Sequence, residues 1–482
     1  MINRRQFLQS AGWALAASPV VGILGCTQKL AAEYVIIGSG PAGIALADTL
    51  AQAGKQVLVL EGGTRQTDTA LQSMHDVEAG QWGLPYNLGW ATQRVLGGTT
   101  NLWQSHSPRP LEEELASQTL RGFGEDWPLT LNTLTPWLAS SERWLHVRPA
   151  QPELNPSLPK NPYIDTSTAL SELLSGKGYT HLEAGAYGMV SGEGADADAL
   201  RLLDDGEIDR VAALNTVAVR PGTIARRIRM TGERAVGVEC ADLKGNAFFV
   251  EAGTVIVCGG GIQTPRLLWN SGVGNHSDWL GAGFMEHPGM QIYGHRAAPL
   301  LPPGVPETHI HVRDMLYDPA HNGLGGTLLH VGLKPGAPNR EYTMVEVLFE
   351  QAPDRRNRIL PGNKKDALGD PIPRIDYRLT ELDLATIQRG QQLQHTLAEH
   401  IGSVDNTSPL RTGSHHLLGA TRMAANPANG VVDTDLRVWG TDNLYVASSS
   451  AFPTGLTVPP TLIIVALAQR LAQHLTNTPR PI

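Results

Sequence analysis

Two histidines stand side by side, His415 and His416, and the second lies three positions ahead of Gly419-Ala420-Thr421-Arg422-Met423. An imidazole that titrates near neutrality can take a proton from a hydroxyl group and give it back. By itself such a pair can also be an accident of a polar loop. A second set of residues lies far upstream. Gly38, Gly40 and Gly43 fit G-x-G-x-x-G, with Pro41 and Ala42 between them, and Glu61 follows Gly43 by 18 residues. In such a motif the first glycine allows the turn and the second lets a pyrophosphate approach the backbone. The third lets helix and strand pack closely, and the acid accepts from a ribose hydroxyl.

The elements around that second set agree with it. Residues 34–37 form an apolar, β-branched run, 44–53 has helical periodicity, and a second apolar run, 57–60, ends on Glu61. Strand, tight turn, helix, strand and acid together predict a dinucleotide site rather than a merely structural glycine turn. The motif alone does not separate FAD from NAD. Gly97-Gly98-Thr99-Thr100-Asn101-Leu102-Trp103 is a second glycine-rich stretch, whose small residues would let backbone press on a flat ligand under Trp103. On its own it reads equally well as a tight turn.

Further along, 131–145 and 168–174 are helical, and strands are expected at 216–219, 226–230, 235–241, 247–250 and 254–257. The continuous apolar run at 254–258 predicts a strand buried on both faces, leading through Gly259-Gly260-Gly261 into a helix from Arg266. From 291 to 401 the texture changes to alternating strands at 309–312, 326–331, 342–349 and 372–377, followed by a long helix over 380–398. An antiparallel sheet backed by a helix, inserted into the nucleotide domain, is the simplest arrangement. A final amphipathic helix is expected at 462–475.

With 482 residues, two packed domains are the default. The net charge of −8 and the lack of a long basic run exclude nucleic acid as a partner. Three cysteines, Cys26, Cys240 and Cys258, make no disulfide framework, and none has metal-ligand spacing with a histidine. Residues 1–26 read as a targeting segment. Asn3-Arg4-Arg5-Gln6-Phe7-Leu8 has the twin-arginine pattern, an apolar stretch follows, and Ile23-Leu24-Gly25-Cys26 resembles a bacterial lipobox whose cysteine becomes lipidated. The alternative is an uncleaved signal anchor with an incidental cysteine. The expected location is therefore the bacterial periplasm, with the chain anchored to the membrane through Cys26.

Across most of its length the sequence resembles the glucose-methanol-choline (GMC) family of flavin oxidoreductases. The resemblance rests on the unit from Gly38 to Glu61, GGTTNLW from Gly97, GGGIQTPRLLWNSGVG from Gly259, MEHPG from Met285 and the closing blocks, all in the family's order and spacing. It implies an α/β fold: a Rossmann-like FAD-binding domain with an inserted α+β substrate-binding domain built on an antiparallel sheet. The expected boundaries are 30–125, 205–290 and 405–482 for the FAD domain, and 126–204 and 291–404 for the substrate domain and its connections. The cofactor-binding set it implies is Gly38, Gly40, Pro41, Ala42, Gly43, Glu61, Gly62, Gly97, Gly98, Thr99, Asn101, Leu102, Ser449 and Thr461. Relatives with covalent flavin have a histidine where this chain has Leu102, so the resemblance implies non-covalent FAD. It also places the catalytic base at His416, with His415 beside it.

GGTTNLW is most similar to the branch of sugar and polyol dehydrogenases and oxidases, which implies an alcohol group of a sugar, glycoside or polyol as the site of oxidation. A cytochrome or quinone is the implied electron acceptor for an exported enzyme, with oxygen as the alternative. The chain departs from the family at Val458-Pro459-Pro460-Thr461-Leu462, where relatives carry a second His or Asn. Pro459 has no donor or acceptor on its side chain and no backbone N–H. His416 would then act with another partner, such as His415, His106 or a residue of the substrate domain. A non-redox lyase or isomerase, or a catalytically silent FAD-binding subunit, are the rival readings. His309 and His311, two apart on one strand face, would line a sugar pocket. Glu350-Gln351 and Asn357-Arg358 would reach substrate, unless Arg358 pairs with a surface acid. Met285-Glu286-His287-Pro288 reads as a structural loop near the flavin, and Cys258 as a buried apolar residue.

Overall fold

A computed structural model of the chain describes residues 30–81, 91–190, 199–336 and 340–476. The targeting segment with Cys26 lies outside the described residues.

The first sheet is parallel at its centre. Its strands run in the order Val217–Arg220, Val57–Leu60, Leu30–Ile37 and Ala247–Val257, and Leu444–Val446 pairs with the far side of the last. Val35, Ile36, Val59, Val255 and Ile256 are fully buried, as a parallel sheet covered on both faces requires. Register aligns the carboxyl ends of these strands. Ile37 sits opposite both Leu60 and Val257, and Val257 opposite Val446. The residues that follow each strand therefore emerge along one edge, where ligands of such sheets bind.

Residues 247–250 and 254–257, expected as two strands, form one strand, Ala247–Val257. Its first half pairs antiparallel with Arg234–Ala241 in a meander with Ile224–Thr231, while its second half joins the parallel sheet. Gly253 permits the continuity, because a Cβ there would lie 2.7 Å from the Glu33 carbonyl oxygen of the neighbouring strand. The helix expected from Arg266 begins earlier, at Gly260, directly after the strand. Helix Pro41–Gln52 covers one face, and helix Thr461–Thr476 packs against both it and helix Leu131–Trp144.

The second sheet has six strands, antiparallel throughout, in the order Asn406–Thr407, Gly289–Arg296, Glu341–Phe349, Thr327–Pro335, Thr308–Val312 and Leu182–Ala184. Helix Glu381–Ile401 lies on one face, burying Ile387, Leu397 and Ile401 with Ile292, Val331, Val345 and Val347. Thr380 and Asp383 start that helix with reciprocal capping bonds. The antiparallel sheet with its helical backing is thus observed, but residues 372–377, expected among its strands, form Pro371–Asp376 in a separate sheet with Arg358–Lys365 and Glu78–Ala79. The other face of the six-stranded sheet meets the carboxyl edge of the parallel sheet.

Candidate active site at the junction of the two sheets

Between the two sheets lies a cavity of about 590 Å³. At one end is the glycine turn. Gly38 has φ +110°, and a Cβ on it would lie 2.5 Å from the Cys258 carbonyl oxygen. A Cβ on Gly43 would lie 2.0 Å from the Gly38 carbonyl oxygen, whereas one on Gly40 would meet nothing within 4 Å. Gly38 and Gly43 are thus glycines because the chain packs there, whereas Gly40 faces open space at the cavity. Gly98, at φ +55°, sets the second glycine-rich loop beside the first, and a Cβ on it would lie 3.4 Å from Gly40 Cα.

Glu61 closes this end. Its Oε2 accepts from Ser39 N at 2.9 Å and Ser39 Oγ at 2.8 Å, and its Oε1 accepts from Gly63 N at 2.7 Å. Both lone pairs of Oε2 are thus engaged, and Oε1 keeps one acceptor site to spare. Beside it lies Arg94, whose guanidinium is pulled down to about 10 by burial and by Arg266, and whose Nε has no partner among the described residues. A buried, under-partnered cation near a helix N-terminus is suited to a pyrophosphate. The N-termini of helices Pro41–Gln52, Gly260–Ser271 and Thr461–Thr476 all border the same cavity. The cradle, the acid and the cation with its unpartnered Nε fit FAD.

Most of the expected cofactor residues line the cavity: Gly38, Gly40, Pro41, Ala42, Glu61, Gly62, Gly98, Thr99, Leu102, Ser449 and Thr461. Gly43, Gly97 and Asn101 stand behind the wall. Asn101 Nδ2 donates to the Leu96 and Gly98 carbonyls at 3.0 and 2.8 Å, bracing the turn that Gly97 makes at φ +83°.

His415 and His416 line the opposite end. His415 is exposed and adopts φ +68°, and His416 is half-buried. The loop carrying them hangs on Glu286, whose Oε2 accepts from Ser414 N at 3.1 Å and His416 N at 2.9 Å. His416 Nδ1 lies 2.8 Å from His287 Nδ1, and His287 Nε2 lies 3.0 Å from the Gly455 carbonyl oxygen. Burial, with His287, His415 and Arg411 nearby, pushes the His416 imidazole well below its ordinary value, so it is neutral at pH 7. The partner of His416 is therefore His287, not His415 or His106. Met285-Glu286-His287-Pro288, expected as a structural loop, carries both supports of the candidate base.

The antiparallel sheet contributes a polar row at one register. Gln291 is opposite Glu346, Glu346 opposite His330, His330 opposite His311, and His311 opposite Glu183. Gln291 and Glu346 reach the cavity with Arg411 and His106. Glu346 Oε1 accepts from Arg411 at 2.6 Å and from Gln291 Nε2 at 3.1 Å. Burial alone would raise the Glu346 carboxyl, but His330 and Arg411 hold it below its ordinary value.

Behind this wall, His106 and His311 meet through their Nε2 atoms at 2.5 Å, and His309 Nδ1 lies 2.9 Å from His330 Nε2. His309 and His311 share a strand face but sit behind the cavity, and of this histidine cluster it is His106 that lines it. Among the described residues, no group of three or more His, Cys, Asp or Glu has the arrangement of a metal site.

Glu350, Gln351, Asn357 and Arg358, expected to reach substrate, are scaffolding. Glu350 is buried 2.7 Å from Arg121, Gln351 accepts from Glu286 N, Asn357 bonds Arg378, and Arg358 pairs with Asp278 on the surface. Cys258 is buried, its thiol pushed up by burial. Gln291, Glu346 and Arg411 were not singled out from the sequence. Two of them are polar residues on separate strands, and only the register shows that they meet.

The chain matches the family description GMC oxidoreductase twice, over residues 208–289 and 353–468, and the description FAD binding domain over 33–77. The fructose dehydrogenase large subunit of Gluconobacter japonicus is 25% identical, over 93% of this chain and 98% of that one. Paromamine 6'-oxidase of Streptomyces fradiae is 28% identical, over 92% of this chain and 91% of its own. Among solved structures, pyridoxine 4-oxidase from Mesorbium loti matches with a TM-score of 0.66 at 18% identity, covering 93% of this chain and 100% of that one.

Proposed function

We infer the reaction of this chain from its membership of the GMC oxidoreductase family: it oxidises an alcohol group of a sugar, glycoside or polyol, with His416 as the base that takes the hydroxyl proton. The observation that carries the reading is the position of His416. A neutral imidazole shares the cavity with Glu346, Gln291 and Arg411, groups that can hold several hydroxyls of one substrate. The names of two relatives, a fructose dehydrogenase and a paromamine oxidase, support the same substrate class.

Glycine turn, Arg94 and Glu61 hold the ADP half of FAD, and Gly98 and Thr99 border its flavin half. Bound FAD supplies the acceptor for the hydrogen that leaves carbon with its electron pair. The chain's own residues orient the alcohol, receive its proton and keep bulk water from the reacting carbon. Leu102 offers no atom for a covalent link, so the cofactor is held non-covalently and denaturation should release it. Anaerobic mixing with a panel of sugars, glycosides and polyols tests the reading. Bleaching of the flavin by one of these classes supports it, and an oxidised flavin with every alcohol overturns it.

Export belongs to the same proposal. The twin-arginine pattern suits a protein that acquires FAD before translocation, and a lipidated Cys26 would anchor it at the periplasmic membrane, beside a cytochrome or quinone acceptor. No helix among the described residues is long and apolar enough to cross a membrane. A Cys26→Ala variant should leave the membrane fraction, and one that stays bound overturns the anchor.

A further inference from the structure

We propose that His287 is a positioning residue that dictates which ring nitrogen of His416 is free to accept the substrate's proton. The inference rests on His416 being the base.

It follows from a carbonyl. The Gly455 oxygen can only accept, so His287 Nε2, 3.0 Å away, must carry a hydrogen. The His287 ring is fully buried and neutral, its imidazole lowered to about 4 by burial. A neutral ring protonated at Nε2 has a lone pair at Nδ1. That lone pair lies 2.8 Å from His416 Nδ1, so His416 Nδ1 is the donor of this bond. His416 then has its own lone pair at Nε2, on the edge of the ring away from His287. The backbone makes the assignment: a fixed carbonyl sets one tautomer and that tautomer sets the next.

The alternative would put hydrogens on both nitrogens of His287, a charged imidazolium with no carboxylate in hydrogen-bond contact, and burial opposes it. The groups facing His416 are His287 and Glu286 from the 285–288 loop, Arg411 and His415 from its own segment, and His106 across the cavity. Glu286 is spent on backbone N–H groups, so the ring of His416 is oriented by a neutral acceptor. Such an acceptor fixes the tautomer without making the base much stronger, unlike a carboxylate in the same place. When substrate gives up its proton, the O–H bond breaks, a bond to His416 Nε2 forms, and the hydrogen at Nδ1 stays on its bond to His287.

The test uses three variants of the FAD-loaded protein and one spectroscopic readout. His416→Ala controls for the base: if it reduces flavin at the unaltered rate, the base reading itself fails. With that control slow, His287→Phe should slow the limiting rate of flavin reduction by about 10- to 100-fold. His287→Asp should keep a substantial rate and move the acid limb of its pH profile up by about one unit or more. In ¹⁵N-histidine spectra, the resonances lost in His416→Ala should show a pyrrole-type Nδ1 and a pyridine-type Nε2, and this pattern should change in His287→Phe. A slow His416→Ala beside a fast His287→Phe, an unmoved acid limb in His287→Asp, or the opposite tautomer in the spectra overturns the role of His287 while leaving the base in place.

Discussion

Glu286 carries His416 by its backbone: the carboxylate lies 2.9 Å from the His416 amide, and its other contacts include the amides of Ser414 and His287. One buried acid thus holds the backbone of both histidines of the His287–His416 pair. Glu286→Leu should strand these amides, costing about 1–3 kcal/mol of stability and slowing flavin reduction about 10- to 100-fold. Glu286→Gln keeps an acceptor oxygen and should stay close to the parent. Thermal melts and stopped-flow reduction of the two variants check this.

His416→Ala should retain the yellow colour, since the FAD cradle lies at the other end of the cavity. Its reduction rate should fall by about 10²- to 10⁴-fold, the contribution of a positioned general base. An unchanged rate in single-turnover mixing would remove His416 from the chemistry.

Glu346 and Arg411 form a charged pair on the substrate side, 2.6 Å apart. Hydrogen bonds from substrate hydroxyls to such groups are worth about 1.5–3 kcal/mol each. Glu346→Ala should therefore weaken substrate binding by about 10- to 100-fold with a smaller change in limiting rate. Substrate dependence of the reduction rate separates the two.

Gly43→Ala would force a methyl against the Gly38 carbonyl, so the turn must open. The variant should emerge largely colourless and destabilised by about 1–3 kcal/mol. The parent should be stabilised by about 2.7 kcal/mol at FAD concentrations 100-fold above its dissociation constant. The variant should gain much less, which differential scanning measurements with and without FAD would show.

Acid should unfold the protein through its buried histidines. His287 is lowered to about 4 in the folded state from 6.5, so between these values the unfolded chain binds the extra proton and stability falls as pH falls. The contribution is complete above pH 6.5, is lost progressively down to about pH 4, and amounts to about 3 kcal/mol. His106, His311 and His416 are shifted in the same direction by burial. Denaturant titrations across this range should show the slope, and His287→Phe should flatten it by up to one proton.

The nucleotide cradle was legible in the sequence because its logic is local. Gly38, Gly40, Gly43 and Glu61 lie within 24 residues, on a strand, turn and helix whose periodicities are visible. His416 came from the motif that follows it. Its partner was not legible, since His287 lies 129 residues away and reaches it only because the loop before Gly289–Arg296 docks on the 414–416 turn. The polar row from Gln291 to Glu183 was hidden for a related reason. Each member sits on a different strand, and pairing register is invisible until the sheet is assembled. Residues 247–257 were divided because a glycine in a strand ordinarily signals a break, whereas Gly253 makes room for the neighbouring backbone.

The sheet that holds the cofactor is completed by strand Leu444–Val446 and helix Thr461–Thr476, and the hydroxyl of Tyr34 reaches the carbonyl of Leu475. The first strand and the last described helix thus meet across 441 positions. On a translating ribosome, at about 5–20 residues per second, the first strand waits on the order of 20 to 90 seconds for the partners that enclose it. The surfaces of helix Pro41–Gln52 and strand Ala247–Val257 that these late elements cover stay open for that interval, a demand that falls on chaperones. Nascent chains stopped short of residue 444 should therefore carry no tightly bound flavin, which makes loading of the cofactor an event of the finished polypeptide.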